Sequence, residues 1–212
     1  MRHLLLTAAL LLATPLEAQE AAEKPTDLPA GEYKADLGHT RLLFKVNHLG
    51  FSNYYGLFKQ IDATLQFDPA APETMQLSVT IDPKSVETHY PDPAMDFNGV
   101  LAGPELLDAD KFPTITYQST KITLTGPTSA DVTGDLTLHG VTKPVTLQVT
   151  FNGGWPDHPM DPGARIGFSA TGFLNRSDFG IAYGIPAEGS TMGVSNRVDL
   201  IIETEMKRAP GP

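Results

Sequence analysis

The chain has 212 residues, with 15 Lys and Arg against 25 Asp and Glu, and a formal net charge of -10. This acidity argues against nucleic acid as a partner and against electrostatic docking on anionic membranes, since both require a basic surface. Cysteine is absent, which excludes disulfides, thiolate nucleophiles and Cys-ligated metal centres. The 41% of hydrophobic residues is typical of a globular chain with one sizeable core.

The first 18 residues read as a signal peptide. Arg2 and His3 precede an apolar run over residues 4–12, and small Ala18 stands at the expected cleavage point. The apolar run is too short for a spanning helix, and no second long apolar stretch follows it, so the mature protein is expected not to span a membrane. We therefore predict export to a bacterial periplasm, with secretion as the alternative. Residues 19–30 are expected to form a flexible leader and residues 208–212 a frayed tail.

Alternating apolar and polar residues dominate the chain between Tyr33 and Met206. This period of two is the pattern of strands that bury one face. Leu43 and Ile201 are exceptions to it. The alternating segments are residues 41–48, 61–67, 75–81, 115–124, 132–138, 145–151, 166–171 and 198–203.

The spacing of these segments predicts an all-β, antiparallel fold of about eight strands, as a barrel or a sandwich. The one helix expected covers residues 104–109, with Pro104 in its first turn. A hairpin is predicted where residues 139–144 join two alternating segments. Pro144 is expected at the start of the second strand, where a missing N–H costs least.

Four motifs in the same order resemble the YceI-like family of bacterial lipid-binding proteins. They are an opening segment with His39, Phe44, His48 and Phe58, the stretch DKFPTI at residues 110–115, LTLHGVTKPV at residues 136–145, and FSATGFLNRSDFG at residues 168–180. The resemblance covers roughly residues 31–207. It implies a lipocalin-like antiparallel barrel that holds a long isoprenoid, such as a quinone tail or a polyprenyl phosphate, and that acts as a carrier.

Two segments depart from the family pattern. Residues 90–99 (YPDPAMDFNG) stand where relatives usually carry a basic, histidine-containing run, and Leu106-Leu107 stands where an aromatic pair is common. Both are expected near the mouth of the pocket, and the mouth is therefore expected to differ from that of relatives.

The predicted ligand-binding residues are mostly rings on the strands and around the mouth. The set is Phe44, Val46, His48, Phe51, Phe58, Phe112, Tyr117, Phe168, Phe173, Arg176, Phe179 and Tyr183. Arg176 and Lys111 are expected to contact a polar head group, and solvated surface charge is the alternative interpretation of each. Residues 51–58, with Gly50 and Gly56 as hinges, are expected to help line or cover the pocket. Ordinary core packing is the alternative interpretation of any single ring, and only a subset of the rings can contact the ligand.

Neither catalysis nor a metal is predicted, and the expected bound molecule is an isoprenoid or other long-chain lipid. His39, His48 and His139 match no helix-borne pair of metal ligands. Two alternatives remain: a hydrolase using residues such as Ser169 and His139, or a β-sandwich interaction module without a small ligand. The single Trp155 and the polar end of the chain argue against an outer-membrane barrel. A homodimer is left open.

Overall fold

The computed structural model describes residues 20–208, and the predicted signal peptide and residues 209–212 lie outside them. The strands are β1 Gly31–Ala35, β2 Arg41–His48, β3 Ser52–Phe58, β4 Ile61–Phe67, β5 Gln76–Ile81, β6 Val86–Glu87, β7 Ile115–Leu124, β8 Ser129–Leu138, β9 Val141–Trp155, β10 Arg165–Asn175 and β11 Val194–Arg208. The α-helix is α1, Phe97–Ala102. No helix of the described residues has the length and apolar character needed to cross a membrane.

Eight strands close into a ring, and every pairing is antiparallel. The order is β1, β4, β5, β7, β8, β9, β10 and β11, and β11 pairs back to β1. β2, β3 and β6 extend the sheet from β11. The predicted antiparallel barrel with one short helix is confirmed. The sandwich alternative is wrong, because one sheet closes on itself instead of forming two facing layers.

The barrel has two ends with different loops. The loops 49–51, 88–114, 139–140 and 176–193 lie at one end, which we call the top. The loops 68–75, 125–128 and 156–164 lie at the other end, the base, together with residues 20–30. These positions follow from the strand directions, because a chain that runs up one strand and down the next turns back at opposite ends of the barrel in alternation.

The two exceptions to the alternation face outward. Ile201 of β11 pairs with Leu43 of β2, and Leu43 pairs with Leu57 of β3. These three residues therefore form an apolar row on the outer surface. Their neighbours Leu42, Phe44, Leu200 and Ile202 point inward and line the interior.

The predicted hairpin is present, but its turn is shorter than expected. His139 (φ 52) and Gly140 (φ 75) form a two-residue turn, and both left-handed conformations match the twist of the flanking strands. β9 therefore begins at Val141, and Pro144 lies inside it opposite Asp135, so the prediction that it starts the strand is wrong. Pro144 is tolerated there because β10 pairs with β9 only from Leu147 onward.

The helix was predicted in the wrong place. Asp96 caps α1, its carboxylate accepting a hydrogen bond from the Gly99 N–H at 2.8 Å, and residues 104–109 are a turn instead. The Leu106 N–H donates to the Gly103 carbonyl and the Ala109 N–H to the Ala102 carbonyl, which folds the chain back after the helix. The interior Gly99 lowers helix propensity and hides this helix from sequence inspection.

The described part of the expected flexible leader packs on the base of the barrel. Ala22 and Gly154 exchange two backbone hydrogen bonds at 2.6 and 3.0 Å. Leu28 is 4% exposed and packs in a core cluster with Tyr33, Phe67 and other residues. Burial of Leu28 favours this packed position. Arg208, assigned to the frayed tail, pairs with Tyr33 as the last residue of β11.

A charged network near the base joins the loop 156–164 to β10, to β11 and to the turn that follows β1. Arg165 donates to Asp36 at 3.0 Å and to Asp161, and Lys207 donates to Asp161 at 2.8 Å. Burial alone would raise the pKa of Asp36. Hydrogen bonds from His39, the Gly38 N–H and Arg165, with the charge of Lys207, instead hold this pKa at about 2.

Candidate functional site

A cavity of about 1100 Å³ occupies the interior of the barrel. This exceeds the roughly 300–1,000 Å³ of pockets that hold drug-sized ligands. Its wall includes Pro25 and Pro72 at the base and Tyr54 and Tyr183 at the top, so the cavity runs the length of the barrel. A barrel of eight strands has an interior that either fills with side chains or holds a ligand, and this one retains space.

The wall of the cavity is apolar along its length. On β11 alone, Val198, Leu200, Ile202 and Met206 face it. Among the described residues that line it, only Arg176 carries a formal charge at neutral pH. Such a wall favours a long hydrocarbon over a polar or charged ligand.

Eight of the predicted ligand-binding residues line this cavity. They are Phe44, Val46, His48, Phe58, Tyr117, Phe168, Arg176 and Tyr183. They come from five separate segments of the chain, and barrel closure brings them around one space. Tyr54 also lines the wall, whereas its neighbour Tyr55 is 49% exposed on the outer face.

The structure places the other four predicted residues away from the cavity wall. Phe51 is 86% exposed in the turn between β2 and β3. Phe173 points outward from β10, with the Arg197 guanidinium 3.7 Å from its ring centroid. Phe112 packs on the His139 ring, with Lys111 above it, so Lys111 is also away from the wall. Phe179 is 1% exposed and fills the core.

Sequence inspection missed much of the top of the cavity. The segment that holds α1 and the residues before it contributes several side chains to the wall: Tyr90, Met95, Phe97, Val100 and Leu101. Leu106 and Leu107 line it as well. Both segments overlap the departures from the family pattern. The prediction that these departures lie at the pocket mouth agrees with their position, although the individual residues were not assigned.

Two glycines make room for rings that shape the wall. A Cβ on Gly56 would lie 2.2 Å from the Phe44 ring, and one on Gly134 would lie 2.4 Å from the Tyr117 ring. Gly56 is buried in the middle of β3, so it serves as a packing site for Phe44 instead of the hinge that was expected. The Tyr117 hydroxyl donates to the Val132 carbonyl at 2.9 Å, and burial raises its pKa.

Arg176 is a buried cation at the top of the cavity, with 6% of its surface exposed. Its guanidinium donates to three carbonyls, those of Ser195 at 3.0 Å, Tyr183 at 2.6 Å and Val194 at 2.8 Å. No acidic side chain among the described residues forms a salt bridge with it. Burial lowers its pKa. A guanidinium has five N–H donors, so two remain for a further acceptor.

The residues considered for catalysis or metal binding do not form a site with the cavity. The Ser169 hydroxyl donates to Glu203 at 2.6 Å, whereas the His139 ring nitrogen lies 3.1 Å from the Phe179 carbonyl. In the described part of the chain, Asp36, His39 and Glu205 are near enough to share a cation. Asp36 is already bonded to Arg165, and nothing further points to a metal there.

A protein-family model described as the YceI-like domain matches residues 33–206. The chain belongs to the YceI-like family. A UPF0312 protein of Pseudomonas putida is 40% identical over 202 residues, which cover 93% of this chain and 94% of that protein. The resemblance inferred from the four motifs is confirmed.

Solved structures share the fold of this YceI-like chain. The YCEI protein of Campylobacter jejuni matches with a TM-score of 0.64 and 32% identity, covering 77% of this chain and 90% of that one. A polyisoprenoid-binding domain from Saccharophagus degradans, implicated in plant cell wall breakdown, matches with a TM-score of 0.61. The match covers 85% of this chain and 100% of that domain, at 14% identity. At such low identity the likeness concerns the fold alone.

Proposed function

We propose that this protein is an exported, periplasmic carrier that holds one long-chain isoprenoid lipid in its barrel. The observation that carries the proposal is the cavity of about 1100 Å³ whose wall is apolar from base to top. Binding would need no chemical step. The family and the name of the Saccharophagus degradans domain support an isoprenoid as the hydrocarbon, and the signal peptide expected at residues 1–18 supports the compartment.

The hydrophobic effect supplies enough free energy for such binding. Burying hydrocarbon stabilises by about 0.8 kcal/mol per CH₂. Ten such groups contribute about 8 kcal/mol, which corresponds to a micromolar dissociation constant before ordering costs. From Val198 to Met206 the inward face of β11 extends for about 27 Å along the strand. A chain of several isoprene units fits this length.

Arg176 gives the bound molecule an orientation. It lies at the top, where two of its N–H donors remain, and the wall toward the base is apolar. A phosphate or a quinone carbonyl would accept hydrogen bonds from it. We therefore place the polar head near Arg176 and Tyr183 and the tail toward Leu65 and Phe67.

Native mass spectrometry of protein purified from its own compartment tests the binding. A mass adduct that disappears on organic extraction and returns with a prenyl quinone or a polyprenyl phosphate is the expected result. Protein free of any adduct in every preparation, with no saturable uptake of either lipid after extraction, would overturn the proposal.

Two neighbouring residues of β11 offer a matched pair of variants. Leu200→Trp places a large ring inside the cavity, whereas Ile201→Trp places the same ring on the outer surface. We expect Leu200→Trp to weaken binding of a prenyl chain at least about tenfold, because several CH₂ sites are filled. Ile201→Trp should bind as the parent does. Equal affinities would show that the lipid lies elsewhere.

A further inference from the structure

Large apolar side chains are concentrated on the top loops. Phe51 is 86% exposed and Met192 is 79% exposed. Tyr183, Val100 and Met95 are 60%, 47% and 43% exposed, and these three also line the cavity. Among the described residues 20–208, the base has one large apolar side chain that is both exposed and on the cavity wall, that of Leu124. An exposed apolar cluster beside an apolar cavity indicates a contact surface.

Phe51 and Met192 stand on adjoining turns. The Leu49 N–H donates to the Gly193 carbonyl at 2.9 Å, and a Cβ on Gly50 would lie 3.1 Å from Thr191. His48 and Val194, which flank these turns, pair with each other and line the cavity. The two exposed tips therefore stand at the rim of the cavity, next to the path by which a ligand would enter at the top.

The charges on these top loops indicate which kind of surface the loops can contact. Residues 46–56, 88–101 and 181–194 contain no Lys or Arg, and they contain Asp92, Asp96 and Glu188. An anionic bilayer attracts basic segments and repels acidic ones. Aromatic and apolar side chains at the tips still gain from burial at the boundary between head groups and acyl chains.

We propose that the top of the barrel docks on an electrically neutral lipid surface, with Phe51 and Met192 inserted beside the cavity mouth. Bound in this way, the protein presents its mouth to the hydrocarbon layer, and an isoprenoid passes between bilayer and barrel without crossing water. The inference rests on the proposed carrier function for its purpose, but the docking itself is a separate physical property.

Flotation with vesicles tests the docking. Vesicles of pure phosphatidylcholine should carry the extracted protein upward at about pH 8. The Phe51→Ser and Met192→Ser double variant should lose about tenfold or more in apparent affinity, because both inserted side chains are removed. Replacing part of the phosphatidylcholine by phosphatidylglycerol should weaken binding of the parent protein.

The base and the barrel wall provide matched controls. Met160 is 88% exposed in a base loop, and Phe173 is 48% exposed on the side of the barrel. The Met160→Ser and Phe173→Ser double variant should float as the parent does. Failure of the parent to float, equal loss in this control, or stronger binding with phosphatidylglycerol would each overturn the docking proposal. So would a concentration-dependent dimer in sedimentation that the Phe51→Ser and Met192→Ser changes dissociate.

Binding of a prenyl chain in detergent solution separates this proposal from the carrier function. If docking alone fails, the parent still takes up the prenyl chain in solution but does not float. If the carrier function fails, solution uptake is absent while flotation persists. The Phe51→Ser and Met192→Ser variant should keep normal uptake in solution, because neither residue lines the cavity.

Discussion

Gly56 and Phe44 pair directly across β2 and β3, and the ring of Phe44 lies over the glycine Cα. A Cβ at position 56 would reach within 2.2 Å of the ring, so any side chain there pushes Phe44 toward the cavity. The shape of this part of the wall therefore depends on the absence of a side chain.

Gly56→Ala should reduce both stability and ligand affinity. Overpacking of this kind costs about 1–3 kcal/mol of unfolding free energy, and the displaced ring takes up space that a ligand needs. Urea unfolding and prenyl-chain titration measure the two effects. Gly167→Ala on β10 is the control, because its Cβ would meet neighbours at 3.8 Å and beyond. Equal behaviour of the two variants would show that the Phe44 ring accommodates a methyl group freely.

Arg176→Met should destabilise the fold as well as weaken head-group binding. Three carbonyls, of Tyr183, Val194 and Ser195, would lose their donor, at a cost of about 3 kcal/mol in unfolding free energy. Urea unfolding measures this cost. Arg197→Met removes an exposed guanidinium from the outer surface and should cost less than about 1 kcal/mol. A loss for Arg176→Met no larger than this would contradict the role of the three bonds.

The base network should make stability depend on pH in acid. The folded pKa of Asp36 is about 2, below its ordinary 3.8, so its ionised form stabilises the folded state at higher pH. That contribution is lost as the pH falls from about 4 to about 2. Asp36→Asn should flatten the fall in urea midpoint over this range, whereas Asp62→Asn, an exposed residue of β4, should keep it. An unchanged slope in Asp36→Asn would contradict this assignment.

A single charge in the cavity should weaken binding strongly while the fold survives. Phe168→Asp buries a carboxylate against the apolar wall, and we expect prenyl-chain affinity to fall by more than about tenfold. Phe173→Asp lies on the same strand with its side chain outward and should bind normally. Far-ultraviolet circular dichroism of both variants checks that the β structure remains. Normal binding by Phe168→Asp would remove this residue from the site.

The strands were predictable because apolar and polar side chains alternate along them with a period of two residues. β2 and β4 have the bounds expected from alternation alone, since one inward and one outward face is all that a barrel strand requires. The helix was not predictable in this way. Its six residues depend on the Asp96 cap and on packing around the cavity mouth, and local signals favoured Pro104 instead.

The site was only partly predictable, because position on a strand, and not residue type, decides whether a side chain faces the cavity. The alternation of β10 places Phe168 inward and Phe173 outward, so counting alone would have removed Phe173. Phe51 lies in a turn and Phe179 in the core. Both lie outside the strands, so the strand period does not predict where their rings point. The aliphatic wall, such as Leu200 and Ile202, was visible as a strand face but was not assigned to the ligand.

The seam between β1 and β11 has a consequence for how the chain folds. It joins Tyr33 to Arg208, so the first strand meets the last one. Contacts between such distant parts of a chain form slowly, because closing a long loop costs chain entropy before any contact stabilises the fold. Synthesis must therefore reach the final strand before the wall can be completed, and a ribosome-bound fragment that lacks β11 has two open sheet edges. Truncation before residue 194 should yield aggregates instead of a smaller barrel.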